Sequence, residues 1–151
     1  MNAAQKWFAD LGRQQLNGSA EGASHTELCR AALDHINEHE QAHTRQLLDA
    51  FDSMDAVITY GPSADQPRVA TMSINVGTIP ADQIGVMLDA DFGVCVRAGL
   101  HCAPLVHEDA NTVGQKGTVR FSPGYFTDQE DIQQAIEGVK DLAEMSLQDV
   151  A

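Results

Sequence analysis

The apolar positions predict two helices in the first third of the chain. Residues 3–16 place their large apolar side chains on one side of a short amphipathic helix. Ser24 and Glu27 have the spacing of a capping box, so a second helix is predicted over about residues 25–53. Residues 17–23 between the two helices are rich in Gly, Ser and Ala and are expected to form a linker.

A helical period returns twice in the second half of the chain. Pro80 suits the first turn of one helix, because proline is tolerated where the backbone N–H has no partner in the helix. The last helix is predicted to open with a capping box formed by Thr127 and Glu130 and to fray after Ala143. Its core stripe repeats at helical spacing through Ile132, Ala135, Ile136, Val139 and Leu142.

Between these helices the pattern changes to the two-residue period of strands. Residues 69–76 alternate strictly between apolar and polar, so Asn75 is expected on a polar face. The last strand directs Val119 and Phe121 inward and Arg120 to the opposite face. The predicted strands cover residues 56–60, 69–76, 94–97 and 118–122, and residues 98–117 are predicted to form a loop. These elements predict an α+β fold: a small mixed or antiparallel sheet with helices packed on one face, preceded by a helical arm.

Charge and composition narrow the function classes. The chain has 151 residues, with 9 Lys and Arg against 22 Asp and Glu and a formal net charge of −13. That balance argues against a surface for nucleic acid or anionic membrane. No apolar run reaches the roughly 18 residues of a membrane helix, and the N-terminus lacks the pattern of a secretory signal. Three cysteines are an odd and sparse set typical of reduced thiols, so a cytoplasmic location is expected.

The densest group of reactive side chains follows the third predicted strand. Cys102 has His101 beside it and Arg97 five residues earlier. The thiolate is the nucleophilic form of cysteine, and a nearby cation favours it. A loop that starts from a strand end is also a common place for functional groups. On residue types alone, an isolated His-Cys pair is more often structural.

Several separated motifs give this loop a family resemblance. The segment from Arg97 to Pro104 resembles the active-site cysteine loop of class V aminotransferase-like enzymes, which depend on pyridoxal phosphate. It is most similar to the group II cysteine desulfurases and selenocysteine lyases, whose cysteine loop is short and constrained. The other motifs follow in the expected order: Gly61-Pro62, Arg68, Gly117-Thr118-Val119-Arg120-Phe121-Ser122 and Gly124-Tyr125-Phe126-Thr127. The resemblance covers roughly residues 26–143.

The resemblance implies a role for each reactive side chain. Cys102 is expected to accept sulfur from a substrate cysteine, becoming a persulfide as alanine is released. Arg120 is expected to bind the substrate carboxylate, because a guanidinium pairs with a carboxylate through two charge-assisted hydrogen bonds. Arg97 is a second candidate for substrate binding or for favouring the thiolate, and His101 is a candidate for proton transfer. For Arg97 and His101, simple exposure to solvent is the alternative.

The same resemblance implies that the cofactor is held elsewhere. In the family a larger domain supplies the Schiff-base lysine, whereas the three lysines here, Lys6, Lys116 and Lys140, lack the family's sequence context. The chain is therefore expected to be the C-terminal small domain (24–151) of a fold-type I enzyme, after an arm over 1–23. It is expected to hold no pyridoxal phosphate covalently and to be inactive alone. Its expected partners are the cofactor-binding large domain, an amino-acid substrate such as cysteine, and a second copy in a homodimer.

Other interpretations stay open. The complete enzyme is a desulfurase or an aminotransferase, and the chain is alternatively a non-catalytic interaction or dimerisation domain derived from the same fold. One helix face repeats a histidine every four residues, at His35, His39 and His43. Such a face presents imidazoles to a metal such as zinc, although helix histidines are usually surface groups. A second candidate metal set lacks zinc-knuckle spacing and consists of Cys95, His101, Cys102 and His107. We expect no metal at either set.

Overall fold

A computed structural model describes residues 3–16 and 20–148. The chain divides into two compact units, Met1–Ala42 and His43–Ala151. The helices are α1 (Ala3–Leu16), α2 (His25–Asp52), α3 (Ala81–Phe92), α4 (Pro104–Asp109) and α5 (Gln129–Gln148). The strands are β1 (Val57–Tyr60), β2 (Met72–Val76), β3 (Arg97–Gly99) and β4 (Thr118–Phe121). The domain boundary expected after residue 23 stays a prediction.

The first unit contains α1 and residues 25–42 of α2, and both predicted helices are confirmed. The predicted capping box is also present. The Ser24 N–H and hydroxyl donate to Glu27 Oε2 at 2.8 and 2.7 Å, and the Glu27 N–H donates to Ser24 Oγ at 3.3 Å. These hydrogen bonds lower the pKa of Glu27, because they stabilise its charged form. Part of the linker predicted over 17–23 lies outside the described residues.

The second unit is built around a four-stranded sheet with the order β1-β2-β4-β3. All three strand pairs are antiparallel, so of the two sheet types expected the structure has the antiparallel one. Because β4 lies between β2 and β3, Arg120 is opposite Ser73 on one side and opposite Arg97 on the other. This order brings the cysteine loop, which follows β3, beside the motif carried by β4.

The hydrophobic core lies on one face of the sheet. Ile74, Val76 and Val119 are fully buried, and Met72 and Phe121 are nearly so. Helices α2, α3 and α5 cover this face with Leu47, Leu48, Phe51, Ile84, Leu88, Ile132, Ala135, Val139 and Leu142. The predicted α+β fold with helices packed on one face of a small sheet is confirmed. Every helix within residues 3–16 and 20–148 is too short or too polar to span a bilayer.

Two predictions for residues 94–117 are wrong. The strand predicted over 94–97 is instead Arg97–Gly99, because β4 offers pairing partners only to these three residues. The Val94 N–H donates to a helix carbonyl at the end of α3, 2.9 Å away, rather than to a strand. The predicted loop over 98–117 contains α4 and a 3-10 helix, Val113–Gln115, because Pro104 provides the preformed first turn of α4.

The two ends of α5 also differ from the prediction. Its N-terminus is capped by Asp128 rather than Thr127, since Asp128 Oδ1 accepts from the N–H groups of Glu130 and Asp131 at 2.9 and 3.0 Å. The helix does not fray after Ala143 but continues to Gln148. Burial of Ser146, which is 4% exposed, holds this last turn in place. The predicted core stripe is confirmed, with Ile136 only partly buried.

Candidate active site

The face of the sheet opposite the helices carries a row of polar side chains. Tyr60 pairs with Ser73, Ser73 with Arg120, and Arg120 with Arg97, so the row crosses all four strands. Side chains at directly paired positions point to the same face of a sheet. Burial raises the pKa of Tyr60, so its phenol stays protonated at neutral pH. The predicted position of Arg120 opposite the core is therefore confirmed.

Arg97 and Arg120 bring two positive charges side by side on this face. They are direct cross-strand partners, and like charges in such a pair repel each other. Neither arginine forms an ion pair with an acidic side chain in residues 3–16 or 20–148. An anion bound between the two guanidinium groups would remove this repulsion, and a carboxylate has the matching planar geometry.

Cys102 lies directly beside this pair of arginines. Its exposed Sγ is 3.4 Å from Arg97 Nη2, so the thiol is in contact with one of the two cations. His101 and Cys102 both have left-handed backbone conformations, with φ values of 52° and 61°. The Ala103 N–H donates to the Leu100 carbonyl at 2.8 Å and closes this turn before α4 begins. The loop therefore reverses direction within two residues and returns the thiol toward β3.

His101 is held from the other side by β4. Its Nε2 lies 3.1 Å from both the carbonyl oxygen and the hydroxyl oxygen of Thr118. A carbonyl oxygen only accepts hydrogen bonds, so Nε2 carries the ring proton and donates it to Thr118. Burial, followed by the positive charge of Arg120, lowers the pKa of His101. The ring is therefore neutral at neutral pH, with Nδ1 as its unprotonated nitrogen.

A second histidine supports the His101 ring. The ring centroids of His101 and His107 are 5.6 Å apart, and His107 is only 5% exposed. His107 Nδ1 lies 2.7 Å from Thr112 Oγ1, which fixes the orientation of this second ring. The last turn of α4 and Thr112 thus form a polar support for the His101 ring.

Gly117 allows β4 to approach the start of the cysteine loop. Its φ of 98° lies in the region that favours glycine, and a Cβ atom there would overlap the carbonyl group of Gly99. The Gly117 carbonyl accepts a hydrogen bond from Asn75 Nδ2 at 3.0 Å. Asn75 lies on the polar face of β2, as predicted, and it is fully buried there because the connection into β4 covers it.

Three buried polar atoms near the row lack partners among residues 3–16 and 20–148. They are Arg120 Nε, His101 Nδ1 and Asn75 Oδ1. Buried polar groups in folded proteins are nearly always hydrogen-bonded, and leaving one unpaired costs roughly 1–3 kcal/mol. Arg120 Nε is a donor and His101 Nδ1 is an acceptor, and both atoms belong to the cluster around Cys102. This face of the sheet is therefore chemically incomplete in the described residues.

Sequence reasoning missed Thr118, His107 and Thr112 in this cluster. Thr118 belongs to the sequence motif around Arg120. A threonine side chain gives no indication that it contacts His101, which lies 17 positions earlier. The sequence marks His107 only as a candidate metal ligand. The five-residue spacing of His107 and Thr112, from the last turn of α4 to the start of the 3-10 helix, is the one local signal for their pairing.

The described residues do not fit a covalently bound pyridoxal phosphate at this face. The Lys116 ammonium is paired with Asp82 at 2.7 Å, and Lys140 lies 3.9 Å from Glu144 on α5. Lys6 belongs to α1 in the first unit. Within residues 43–148 of the second unit, no lysine therefore accompanies Cys102 and Arg120 on the polar row.

The metal alternatives receive no geometric support. Within the described ranges, no three His, Cys, Asp or Glu side chains come together as a metal-binding group. Cys95 points instead to Asp89, with 3.8 Å between Sγ and Oδ1.

A cavity of about 240 Å³ lies on the helix side of the sheet, lined by Cys95, Phe121 and Ile132 among others. Cys102 does not line that cavity.

Comparison with known proteins identifies the family to which this geometry belongs. The family described as aminotransferase class-V matches residues 16–135, which is most of the chain. The chain therefore belongs to the class V aminotransferase family. Within that family its relatives and structural neighbours are cysteine desulfurases, so the resemblance inferred from the motifs is confirmed.

Three matches illustrate the relationship. A probable cysteine desulfurase of Methanothermobacter thermautotrophicus is 31% identical over 126 residues, covering 82% of this chain and 30% of the relative. A probable cysteine desulfurase of Halobacterium salinarum is 31% identical over 113 residues, covering 75% of this chain and 26% of the relative. The apo structure of cysteine desulfurase from Thermococcus onnurineus NA1 superimposes with a TM-score of 0.69 at 25% identity, covering 80% of this chain and 29% of that one. The chain thus spans less than a third of the length of these relatives.

Proposed function

We propose that this chain supplies the sulfur-accepting cysteine and the carboxylate-binding arginine of a cysteine desulfurase that uses pyridoxal phosphate. One observation carries the proposal: the Cys102 thiol contacts Arg97, and Arg97 is the direct cross-strand partner of Arg120. A nucleophile therefore lies next to two cations that have no acidic partner in the described residues. An amino-acid substrate offers a carboxylate for the cations and a sulfur atom for the thiol.

The proposed sulfur transfer balances without an external oxidant. The Cys102 thiolate attacks the sulfur of the substrate cysteine, so an S–S bond forms while the substrate's C–S bond breaks. The electron pair of that bond passes to the substrate's β-carbon, which takes up a proton and becomes the methyl group of alanine. The products are alanine and a persulfide on Cys102. Sulfur is oxidised as carbon is reduced.

The other side chains of the cluster have distinct roles in this proposal. Arg120 binds the substrate carboxylate, and an unpaired Nε at a buried position is a donor available for that purpose. Arg97 contacts the Cys102 sulfur directly, so its positive charge lies beside the reacting atom. Proton transfer by His101 stays a prediction, and in this geometry it uses Nδ1, because Nε2 is bound to Thr118.

The cofactor and the partners complete the proposal. Pyridoxal phosphate supplies the electron sink for amino-acid chemistry of this class. Because no lysine in residues 43–148 accompanies Cys102, the proposal assigns the cofactor to a lysine-bearing domain outside the described residues. The homodimer, the cytoplasmic location and any selenocysteine lyase activity expected from the sequence stay predictions.

A fusion enzyme tests the function. Residues 24–148 replace the matching segment of the Methanothermobacter relative, whose remaining length this chain does not cover. With cysteine and pyridoxal phosphate, we expect alanine release and a persulfide at Cys102, detected by mass spectrometry of the labelled peptide. Cys102→Ser should reduce alanine formation by about 100-fold or more, since a nucleophile acts as one unit with the rest of its site.

Cys95→Ser is the matched control, because Cys95 is also an exposed cysteine of the second unit that forms no disulfide. It should leave alanine formation and the persulfide unchanged. Persulfide on Cys95, or full turnover in Cys102→Ser, would contradict the proposal. A correctly folded fusion that binds cofactor but makes no alanine would favour the non-catalytic interaction domain instead.

A further inference from the structure

We infer that Thr118 is a positioning residue for the cysteine nucleophile, acting through His101. The inference rests on the proposed function only in taking Cys102 as the reacting thiol. Thr118 is nearly fully buried, at 3% exposure, and touches neither Cys102 nor Arg97 through a hydrogen bond. Its hydroxyl and carbonyl oxygens instead receive the His101 Nε2–H.

Two consecutive residues of the cysteine turn have an unfavourable backbone conformation. His101 and Cys102 are consecutive residues other than glycine in the left-handed region. Each such residue costs on the order of 1 kcal/mol or more, and it persists only where surrounding contacts hold it. The Ala103 N–H to Leu100 carbonyl bond holds the turn from within the loop. The contact from His101 to Thr118 holds it from the sheet.

The contact between His101 and Thr118 is coupled to the position of the Cys102 thiol. His101 precedes Cys102 directly, so the ring that is bound to β4 fixes the peptide from which the cysteine side chain projects. The Cys102 Sγ then lies 3.4 Å from Arg97 Nη2 on β3. Gly99 on β3 pairs with Thr118 on β4, so the strand residue before the cysteine turn and the His101 ring within it are both tied to Thr118. Loss of the Thr118 hydroxyl should loosen the turn and separate the thiol from its cation.

The contact with Thr118 also fixes the tautomer of the neutral His101 ring. Thr118 presents a carbonyl oxygen, which only accepts, so the neutral His101 ring must be protonated on Nε2. A histidine free in water mixes its two neutral tautomers and has no such constraint. An Nδ1–H tautomer of neutral His101 in the unmodified chain would therefore contradict the contact with Thr118. This measurement needs no substrate and no cofactor.

The experiment uses the complete 151-residue chain and its three cysteines. Limited alkylation with iodoacetamide, followed by peptide mass spectrometry, gives the rate at Cys102 relative to Cys95 in the same molecule. Thr118→Val removes the hydroxyl and keeps the branched shape of the side chain. It should slow Cys102 by about three- to tenfold relative to Cys95, the range expected for one lost hydrogen bond. Thr118→Ser keeps the hydroxyl and should restore most of the rate.

Two further measurements separate positioning from a general structural effect. In an Arg97→Gln background, Thr118→Val should have little additional effect, because the contact that it disturbs is already absent. Nitrogen NMR of the histidine rings should show His101 as the Nε2–H tautomer in the unmodified chain, and also in Thr118→Val, which keeps the carbonyl oxygen that accepts this proton. The tautomer in the unmodified chain keeps the inference testable even if Thr118→Val does not fold.

The inference is overturned if His101 carries its neutral proton on Nδ1, or if Thr118→Val slows Cys95 as much as Cys102. It is equally overturned if Thr118→Val slows Cys102 as strongly with Gln at position 97 as with Arg. Failure of the proposed function has a different signature: the alkylation ratios and tautomer behave as expected, but the fusion enzyme forms no persulfide at Cys102.

Discussion

The two faces of the sheet use the same strands in different ways. On the helix side, Ile74 and Val119 are fully buried in an apolar core. On the opposite side, the neighbouring positions Ser73 and Arg120 belong to a polar row that ends at Arg97. On the helix side, the strands and three helices cover one another's apolar side chains. The opposite side leaves buried polar atoms unpaired within residues 3–16 and 20–148.

This difference separates stability from chemistry in the molecule. The apolar face stabilises the fold through area removed from water, which does not depend on a ligand. The polar row adds little to stability, because two adjacent cations repel each other and desolvated donors lack partners. Substitutions on the two faces should therefore have distinct effects, and three predictions test this.

The largest effect is expected in the core. Phe51 is fully buried, and its ring centroid lies 5.3 Å from that of Phe121. Phe51→Ala should lower the free energy of unfolding by about 3–5 kcal/mol, because it removes apolar contacts and leaves a cavity. Ile58, which is 55% exposed on the opposite face, provides the control. Ile58→Ala should cost about 0.5 kcal/mol or less in the same urea titration. Equal losses at both positions would contradict the division into two faces.

An intermediate effect is expected at the arginine pair. In the fusion enzyme, Arg120→Gln should lower kcat/KM for cysteine by about 10- to 100-fold, since it removes a charge-assisted contact to the substrate carboxylate. Most of the change should appear in KM, and the free energy of unfolding should not fall. Lys116→Gln removes a cation that is already paired with Asp82 and should leave KM unaltered. An unchanged KM in Arg120→Gln would exclude Arg120 as the carboxylate ligand.

The smallest effect is the pH dependence contributed by His101. Burial and the Arg120 charge lower its pKa in the folded chain below the ordinary value of about 6.5. Between these two values the unfolded chain binds more protons, so this contribution to stability is present above about pH 6.5 and is lost as the pH falls through the folded pKa. Urea unfolding from about pH 8 to about pH 5 should therefore show a shallower decline in His101→Gln than in the unmodified chain. Parallel declines would show that His101 is not desolvated in the fold.

Local patterns predicted most of the architecture. The stripe through Ile132, Val139 and Leu142 and the alternation around Ile74 depend only on the geometry of one helix or strand, which the sequence displays directly. The capping box of Ser24 and Glu27 is equally local. The predicted cap of α5 was wrong, because Thr127 and Asp128 are both competent caps and the backbone path decided between them. The predicted start of the third strand at residue 94 was wrong, because a strand requires a neighbouring strand to pair with and β4 pairs only with Arg97–Gly99.

The sequence by itself determined the α+β class, the core stripes and the motif residues Cys102 and Arg120. Only the tertiary structure decided that Arg97 lies opposite Arg120 and that Thr118 holds His101. The register of β3 against β4 and the closure of the cysteine turn depend on contacts between residues distant along the chain. The spacing of apolar residues indicates which side of a helix or strand is buried. Which residue lies opposite a given residue depends on how separate elements pair in space.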